Sequence, residues 1–319
     1  MKIASLFAGI GGIDLGFQQA GFIPAWANEI DEVCAQTFRL NHIQTKLVVD
    51  DINNVKASDI PAVTVLAGGF PCQAFSIAGH KKGFADNRGS LFFQITRLLE
   101  EMKEKSELPQ VVFLENVKNM YTHDNGNTYK VIKKKLEDIG YHVVSKVLNS
   151  SEYGNLPQNR ERIYIIAFLD KAKFDRFRWP SPIELSESID KLICWNTPQD
   201  RKYYYTPKMK CYTLLKENIR NKNSIYQYRR VYVRENKSSV CPTLTANMGM
   251  GGHNVPLIVD GQGSIRKLTP RECLSLQGFP PSFKIPQGLT DTKVYKQAGN
   301  SVSVPVIKRL AEEIYKVLK

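Results

Sequence analysis

Cys72 stands in Gly68-Gly69-Phe70-Pro71-Cys72-Gln73, directly after the apolar run Val63-Thr64-Val65-Leu66-Ala67. The two glycines let the backbone turn sharply and approach a ligand, and Pro71 stiffens the residue before the thiol. A cysteine taken alone is more often a small buried hydrophobe; one presented by such a loop at the mouth of a strand is placed like a nucleophile. Glu29 and Asp51 offer a second chemistry. Each follows an apolar run, and the glycine turn Phe7-Ala8-Gly9-Ile10-Gly11-Gly12 follows another. Gly9 and Gly11 allow close approach, Glu29 can accept hydrogen bonds from ribose hydroxyls, and Asp51 can accept one from an exocyclic amine. Gly9-x-Gly11-x-x-Asp14 lacks the third glycine of the dinucleotide fingerprint, so the spacing favours a nucleoside without phosphates.

Residues so scattered need a scaffold that gathers strand ends. The first half alternates short apolar runs with helix-like segments, the pattern of a parallel sheet with crossover helices. Strands are expected at residues 3–6, 25–27, 47–49, 63–67 and 111–114, with a β-rich stretch over 143–148 and 163–168. Glu29, Asp51, Cys72 and Glu115 then fall just past the carboxyl ends of successive strands, where open α/β sheets bind ligands. Residues 73–93 combine glycines with Lys81, Lys82 and Arg88 and few apolar positions, and read either as a lid over an anionic substrate or as a plain exposed loop. The closing segment, 298–319, reads as one helix with Val302, Val306, Leu310 and Ile314 near one face.

From about residue 175 to 265 the alternation of helix and strand is lost. Basic and aromatic residues interleave in Tyr203-Tyr204-Tyr205 and in Tyr226-Gln227-Tyr228-Arg229-Arg230-Val231-Tyr232-Val233-Arg234. Such residues suit contacts to phosphates and base edges, and Arg230 and Arg234 are expected to share one side of a strand. Charge agrees. Residues 1–170 carry 18 Lys and Arg against 19 Asp and Glu, whereas residues 171–319 carry 26 against 12. A neutral first half beside a basic second half points to a small-molecule or catalytic domain joined to a polyanion-binding surface. No run of about 18 apolar residues is present, so a membrane span is not expected. The amino terminus shows no signal-peptide pattern, and the six cysteines show no Cys-x-x-Cys spacing, so neither zinc nor a disulfide framework is expected. A cytoplasmic protein without a metal is the reading.

In this setting the chain resembles the DNA (cytosine-5) methyltransferases, nearest the compact bacterial enzymes of restriction–modification systems. The glycine turn from Ser5 to Gly12 resembles the family's cofactor loop, and Gly69-Phe70-Pro71-Cys72-Gln73 its nucleophile motif. Glu115-Asn116-Val117 matches the motif of the catalytic glutamate, and Gln158-Asn159-Arg160-Glu161-Arg162 the paired-arginine motif. Arg266-Lys267-Leu268-Thr269-Pro270-Arg271-Glu272-Cys273 and Gln297-Ala298-Gly299-Asn300-Ser301 are similar to the last two motifs. Six motifs in order cover nearly the whole chain.

The resemblance implies an α/β fold: a Rossmann-like, mostly parallel sheet domain over 1–185, completed by 287–319, and a small β-rich target-recognition domain over 186–286, with duplex DNA in the cleft. It implies S-adenosylmethionine as methyl donor, held by Phe7, Gly9, Gly11, Gly12, Glu29, Ile30, Asp51, Ile52, Pro71, Leu91 and Asn300. It implies a cytosine in double-stranded DNA as acceptor, flipped out of the stack because its reacting atom is otherwise inaccessible. Cys72 would add to carbon 6 as thiolate, making carbon 5 nucleophilic. Glu115, protonated at least transiently and so with a raised pKa, would bond N3 and the exocyclic amine. Arg162 would hold the carbonyl oxygen, and Arg160 would help frame the site. Contacts to DNA are expected from Lys81, Lys82, Arg88, Arg229, Arg230, Arg234, Thr243 and Leu244, and a monomer, associated with the nucleoid of a bacterial or phage host, is expected. The stretches 229–234 and 242–249 look similar to members reading CC-start palindromes such as CCGG or CCNGG. Two other functions share parts of this pattern: a tRNA cytosine methyltransferase, whose motif differs around the cysteine, and a non-catalytic DNA-binding regulator.

Overall fold

A computed structural model describes residues 1–70, 91–236, 240–250 and 254–319. The chain divides into two compact units: residues 1–148, 161–180 and 307–319 form one, and residues 149–160 and 181–306 the other. Segments 149–160 and 287–306 thus cluster with the second unit, and the cuts do not coincide with 185 and 286.

The first unit is built on a seven-stranded sheet. Its strands are β1 (Lys2–Leu6), β2 (Ile23–Glu29), β3 (Lys46–Val49), β4 (Val65–Gly68), β5 (Val111–Val117), β6 (His142–Asn149) and β8 (Glu161–Phe168), in the order β3-β2-β1-β4-β5-β8-β6. The pairings among β1 to β5 are parallel, and β8 runs antiparallel to β5. Parallel neighbours require crossovers, supplied by α1 (Gly12–Gln19), α2 (Glu32–Asn41) and α3 (Leu91–Glu104), while α4 (Asn119–Thr122) and α5 (Asn127–Ile139) lead from β5 to β6. Alternate strand residues face opposite ways. Leu66, Val112 and Leu114 join the apolar side chains of α3 and α5 in one core. Phe113 points to the other face, where its ring meets Phe17 of α1 edge-on at 5.1 Å. The short α7 (Lys171–Arg176) follows β8.

The start of α1 is tightly made. Gly11 caps it with φ of 84°, a left-handed conformation, and a Cβ there would run into the His42 ring. Asp14, in the first turn, is fully buried and accepts a hydrogen bond from Ser5 Oγ at 2.7 Å. Burial pushes the Asp14 carboxyl up to about 6, against the Ser5 hydroxyl and its own backbone N–H, which lower it. Burial also pushes the His42 imidazole down to about 4, against a backbone bond with Gly11 that raises it. Between pH 4 and 6 the native state therefore holds more protons than the unfolded chain at Asp14, and fewer at His42. Stability falls with rising pH through the first group and rises through the second, so the two slopes oppose. Asp14→Asn is expected to gain stability relative to the parent by about 2 kcal/mol as pH rises from 4 to 6, and His42→Gln to lose a similar amount. Urea unfolding across that window checks this; two flat difference curves would contradict it.

The second unit carries an antiparallel four-stranded sheet of order β10-β9-β12-β13, made of β9 (Ile225–Tyr228), β10 (Val233–Asn236), β12 (Pro256–Val259) and β13 (Ile265–Lys267). A two-residue parallel ladder pairs β7 (Gln158–Asn159) with β11 (Cys241–Pro242). Helices α6 (Ser150–Tyr153), α8 (Tyr212–Asn218), α9 (Pro270–Leu276) and α10 (Asp291–Asn300) complete it. Its small core joins Leu215, Ile219, Tyr226, Leu257, Val259 and Ile265.

Two expectations are corrected here. Residues 226–234 are a hairpin rather than one strand: Tyr228 pairs with Val233, and Arg230 sits in the turn with φ of 63°. The segment 298–319 is two helices, α10 and α11 (Val304–Leu318), because Ser301 is extended and Pro305, in the first turn of α11, has no N–H to continue an earlier helix.

Candidate active site

In the first unit the loop between β1 and α1 is held open by left-handed backbone at Phe7 (φ 55°) and Gly9 (φ 58°). The Gly9 amide donates to Glu29 Oε2 at 2.7 Å, and the Asp31 amide donates to Oε1 at 2.8 Å. Each carboxylate oxygen keeps a further lone pair for a ligand hydroxyl, and a Cβ at Gly9 would meet nothing within 4 Å. Ile30, next to Glu29, is 64% exposed, an apolar side chain with a free face. Asn28 Nδ2 donates to the Val48 and Asp50 carbonyls, which ties the end of β2 to the end of β3. There Asp51 Oδ1 accepts from the Asn53 amide and side chain, and Ile52 is buried. Leu91 is half-buried in the first residue of α3.

Glu115 and Arg162 meet because of strand register. Glu115 lies opposite Tyr164 and Val117 opposite Arg162, so Arg162 is the diagonal neighbour of Glu115 on one face of the β5–β8 ladder. Arg162 Nε stands 3.2 Å from Glu115 Oε1, with both side chains largely buried. A Cβ at Gly69 would sit 3.6 Å from Glu115 Oε2, so glycine leaves the carboxylate uncovered on that side. Asn116, not singled out in the sequence, donates its Nδ2 to the Phe70 carbonyl at 2.7 Å and so anchors the chain two residues before Cys72. Its signal is position: an amide at a strand end beside Glu115.

Pro71, Cys72, Lys81, Lys82 and Arg88, together with most of residues 73–93, for which a lid was one expectation, lie outside the described residues.

The remaining candidates lie in the second unit. Arg160 is 2% exposed, and its guanidinium donates to the carbonyls of Leu244 (2.9 Å), Gly299 (3.4 Å) and Ser301. It frames the structure through the backbone of two segments rather than by presenting its fork to a substrate. Leu244 is 1% exposed, so its side chain is packed inside and not available to DNA, a correction to the expectation for that residue. Thr243 is half-buried and donates to the Asn159 carbonyl at 2.6 Å. Arg229, Arg230 and Arg234 are exposed on the hairpin, with Val231 and Tyr232 exposed between them. Tyr203 and Tyr226 are core residues, so part of the aromatic interleaving serves packing. Asn300 is exposed at the end of α10.

Among the described residues no group of three or more His, Cys, Asp or Glu could hold a metal ion, and no helix is long and apolar enough to cross a membrane.

The family model described as "C-5 cytosine-specific DNA methylase" matches residues 1–316. The chain is 54% identical over 319 residues to the type II methyltransferase M.Bsp6I of Bacillus sp. (strain RFL6), covering 99% of each. It is 36% identical over 328 residues to the type II methyltransferase M.HhaI of Haemophilus parahaemolyticus, covering 98% of this chain and 94% of that one. Among solved structures, Entamoeba histolytica EhMeth superposes with a TM-score of 0.77 at 18% identity, covering 100% of this chain and 99% of that one. A Spodoptera frugiperda DNMT2 mutant gives 0.76 at 20% identity, covering 98% and 99%. At such identity these two speak for the fold.

Proposed function

The chain belongs to the C-5 cytosine-specific DNA methylase family, and we propose that Cys72, Glu115 and Arg162 carry out its DNA cytosine-5 methyl transfer within a restriction–modification system. The observation that supports this most is the Glu115–Arg162 pair beside Gly69, with Asn116 holding the carbonyl of Phe70. A carboxyl and a guanidinium side by side match the edge of cytosine: the carboxyl meets N3 and the exocyclic amine, and the guanidinium meets the carbonyl oxygen. Addition of the Cys72 thiolate to carbon 6 breaks the 5,6 double bond and moves an electron pair toward N3 and carbon 5. Glu115 supplies a proton toward N3 as that charge arrives, and Arg162 stabilises the charge on oxygen. Loss of the carbon 5 proton after transfer restores the double bond and expels Cys72.

The cofactor loop fits S-adenosylmethionine, which supplies the methyl group when bound. Glu29, fixed by two backbone amides, offers both oxygens to the ribose hydroxyls. Exposed Ile30 suits one face of the purine and Asp51 suits its amine, while Ile52, packed in the core, is assigned to the site by motif. Gly9, Gly11 and Gly12 permit close approach, and Phe7, Pro71, Leu91 and Asn300 are assigned to the same site by motif. The second unit reads the duplex through the exposed hairpin residues Arg229, Arg230 and Arg234 and through Thr243. The enzyme acts as a cytoplasmic monomer on chromosomal DNA.

Bisulfite sequencing of DNA from cells expressing the protein tests this reading. Protected cytosines at one short motif are expected, with a CC-start palindrome as the working assignment. Modification of tRNA in place of duplex DNA, or of neither, would overturn it.

A further inference from the structure

The loop that carries Asp51 and Ile52 makes turn bonds of its own, from the Asn54 amide to the Asp51 carbonyl and from the Val55 amide to the Ile52 carbonyl, and it is also held from outside. Its backbone is gripped by one helical pair on α3. Arg97 Nη2 donates to the carbonyls of Ile52 (3.0 Å) and Val55 (2.8 Å), Nη1 to Glu101 Oε1 (2.5 Å), and Nε to Gln94 Oε1 (2.7 Å). Glu101 uses its other oxygen, Oε2, to accept the Ala57 amide at 2.9 Å. Three backbone groups between residues 52 and 57 are thus bound by two side chains four residues apart on the same helix.

This is more than a surface ion pair. Both side chains are about one-third exposed, 32% and 35%, so their mutual attraction contributes little to stability. What distinguishes the pair is geometry. A planar guanidinium can reach two carbonyls, a carboxylate and an amide at once, whereas an ammonium on a flexible stem cannot. Burial raises the Glu101 carboxyl, but the Ala57 amide and Arg97 outweigh it and hold the group below the usual range. Leu91, assigned to the cofactor, opens the same helix. One rigid element therefore carries a cofactor contact in its first turn and the grip on the purine loop two turns later.

We propose that Arg97 and Glu101 are positioning residues for the cofactor: by gripping the backbone of residues 52–57 they fix Asp51 and Ile52 where the purine is read. The role rests on the cofactor reading of Asp51. Neither residue touches a reacting atom, so the effect falls on cofactor affinity and not on the chemical step.

The test compares Arg97→Lys, Glu101→Gln and Asp51→Ala with the parent, using calorimetric titration with S-adenosylmethionine well below the melting transition, and steady-state methylation of duplex DNA. Arg97→Lys is expected to raise both Kd and KM for the cofactor about tenfold, with kcat at saturating cofactor changed less than twofold and KM for DNA unmoved. Glu101→Gln, which keeps an acceptor for Arg97, is expected to raise Kd about threefold. A lowered melting temperature with unchanged cofactor Kd would make the pair a simple staple and overturn the proposal, as would a fall in kcat at constant KM. If Asp51→Ala weakens binding and Arg97→Lys does not, the positioning role fails alone. If neither weakens binding, the cofactor reading of this loop fails with it.

Discussion

Glu115→Gln is expected to lower kcat by about 100- to 1000-fold, with cofactor Kd and melting temperature close to those of the parent. Glutamine keeps the shape and a hydrogen-bond acceptor but has no proton to give N3, so the loss falls on the addition step. Arg162→Lys is expected to lose about 100-fold, because an ammonium cannot hold the cytosine oxygen while staying 3.2 Å from the Glu115 carboxylate, as the Arg162 Nε does. The cross-strand register sets this pair, and neither change disturbs the backbone ladder of β5 and β8. Single-turnover methyl transfer measures both. A rate within threefold of the parent for either variant would remove that residue from the chemical step.

The second large effect is on stability. Arg160→Ala is expected to cost about 3–5 kcal/mol, since it strips hydrogen bonds from buried carbonyls at Leu244, Gly299 and Ser301 and leaves a cavity. Arg162→Ala should cost about 1 kcal/mol and abolish activity instead. Two arginines one residue apart thus separate: Arg160 holds segments of the second unit, and Arg162 serves the carboxylate in the first. Urea denaturation monitored by tryptophan fluorescence, read beside the activity of each variant, checks the division. Equal stability for the two variants would contradict it.

That division was not legible in the sequence, where Gln158-Asn159-Arg160-Glu161-Arg162 presents two similar cations. Strand positions were legible, because apolar runs followed by Glu29, Asp51 and Glu115 carry both the burial pattern and the polar strand ends. The hairpin at Arg230 was hidden because its turn has no Asn-Gly or Asp-Gly, and the β-branched and aromatic residues around it read as continuous strand. Leu244 looked like a DNA contact from its place in a motif, yet its side chain went to the core, which sequence adjacency to Thr243 does not report. Arg97 and Glu101 look like an ordinary helical pair, and only the path of residues 52–57 shows what they bind. Local pattern sets which elements form; contacts between segments distant in sequence set which polar residue is chemical and which is structural.

The most direct measurement of the central claim is covalent trapping through Cys72. Duplex DNA in which 5-fluorocytosine replaces cytosine is incubated with the protein and S-adenosylmethionine, then run on a denaturing gel. Fluorine cannot leave carbon 5 as a proton does, so the thiolate at carbon 6 cannot be expelled and the adduct persists. A protein–DNA band that survives denaturation is expected for the parent and none for Cys72→Ser. A parent that methylates ordinary duplex DNA yet forms no such band, or a Cys72→Ser variant that methylates at the parental rate, would contradict it.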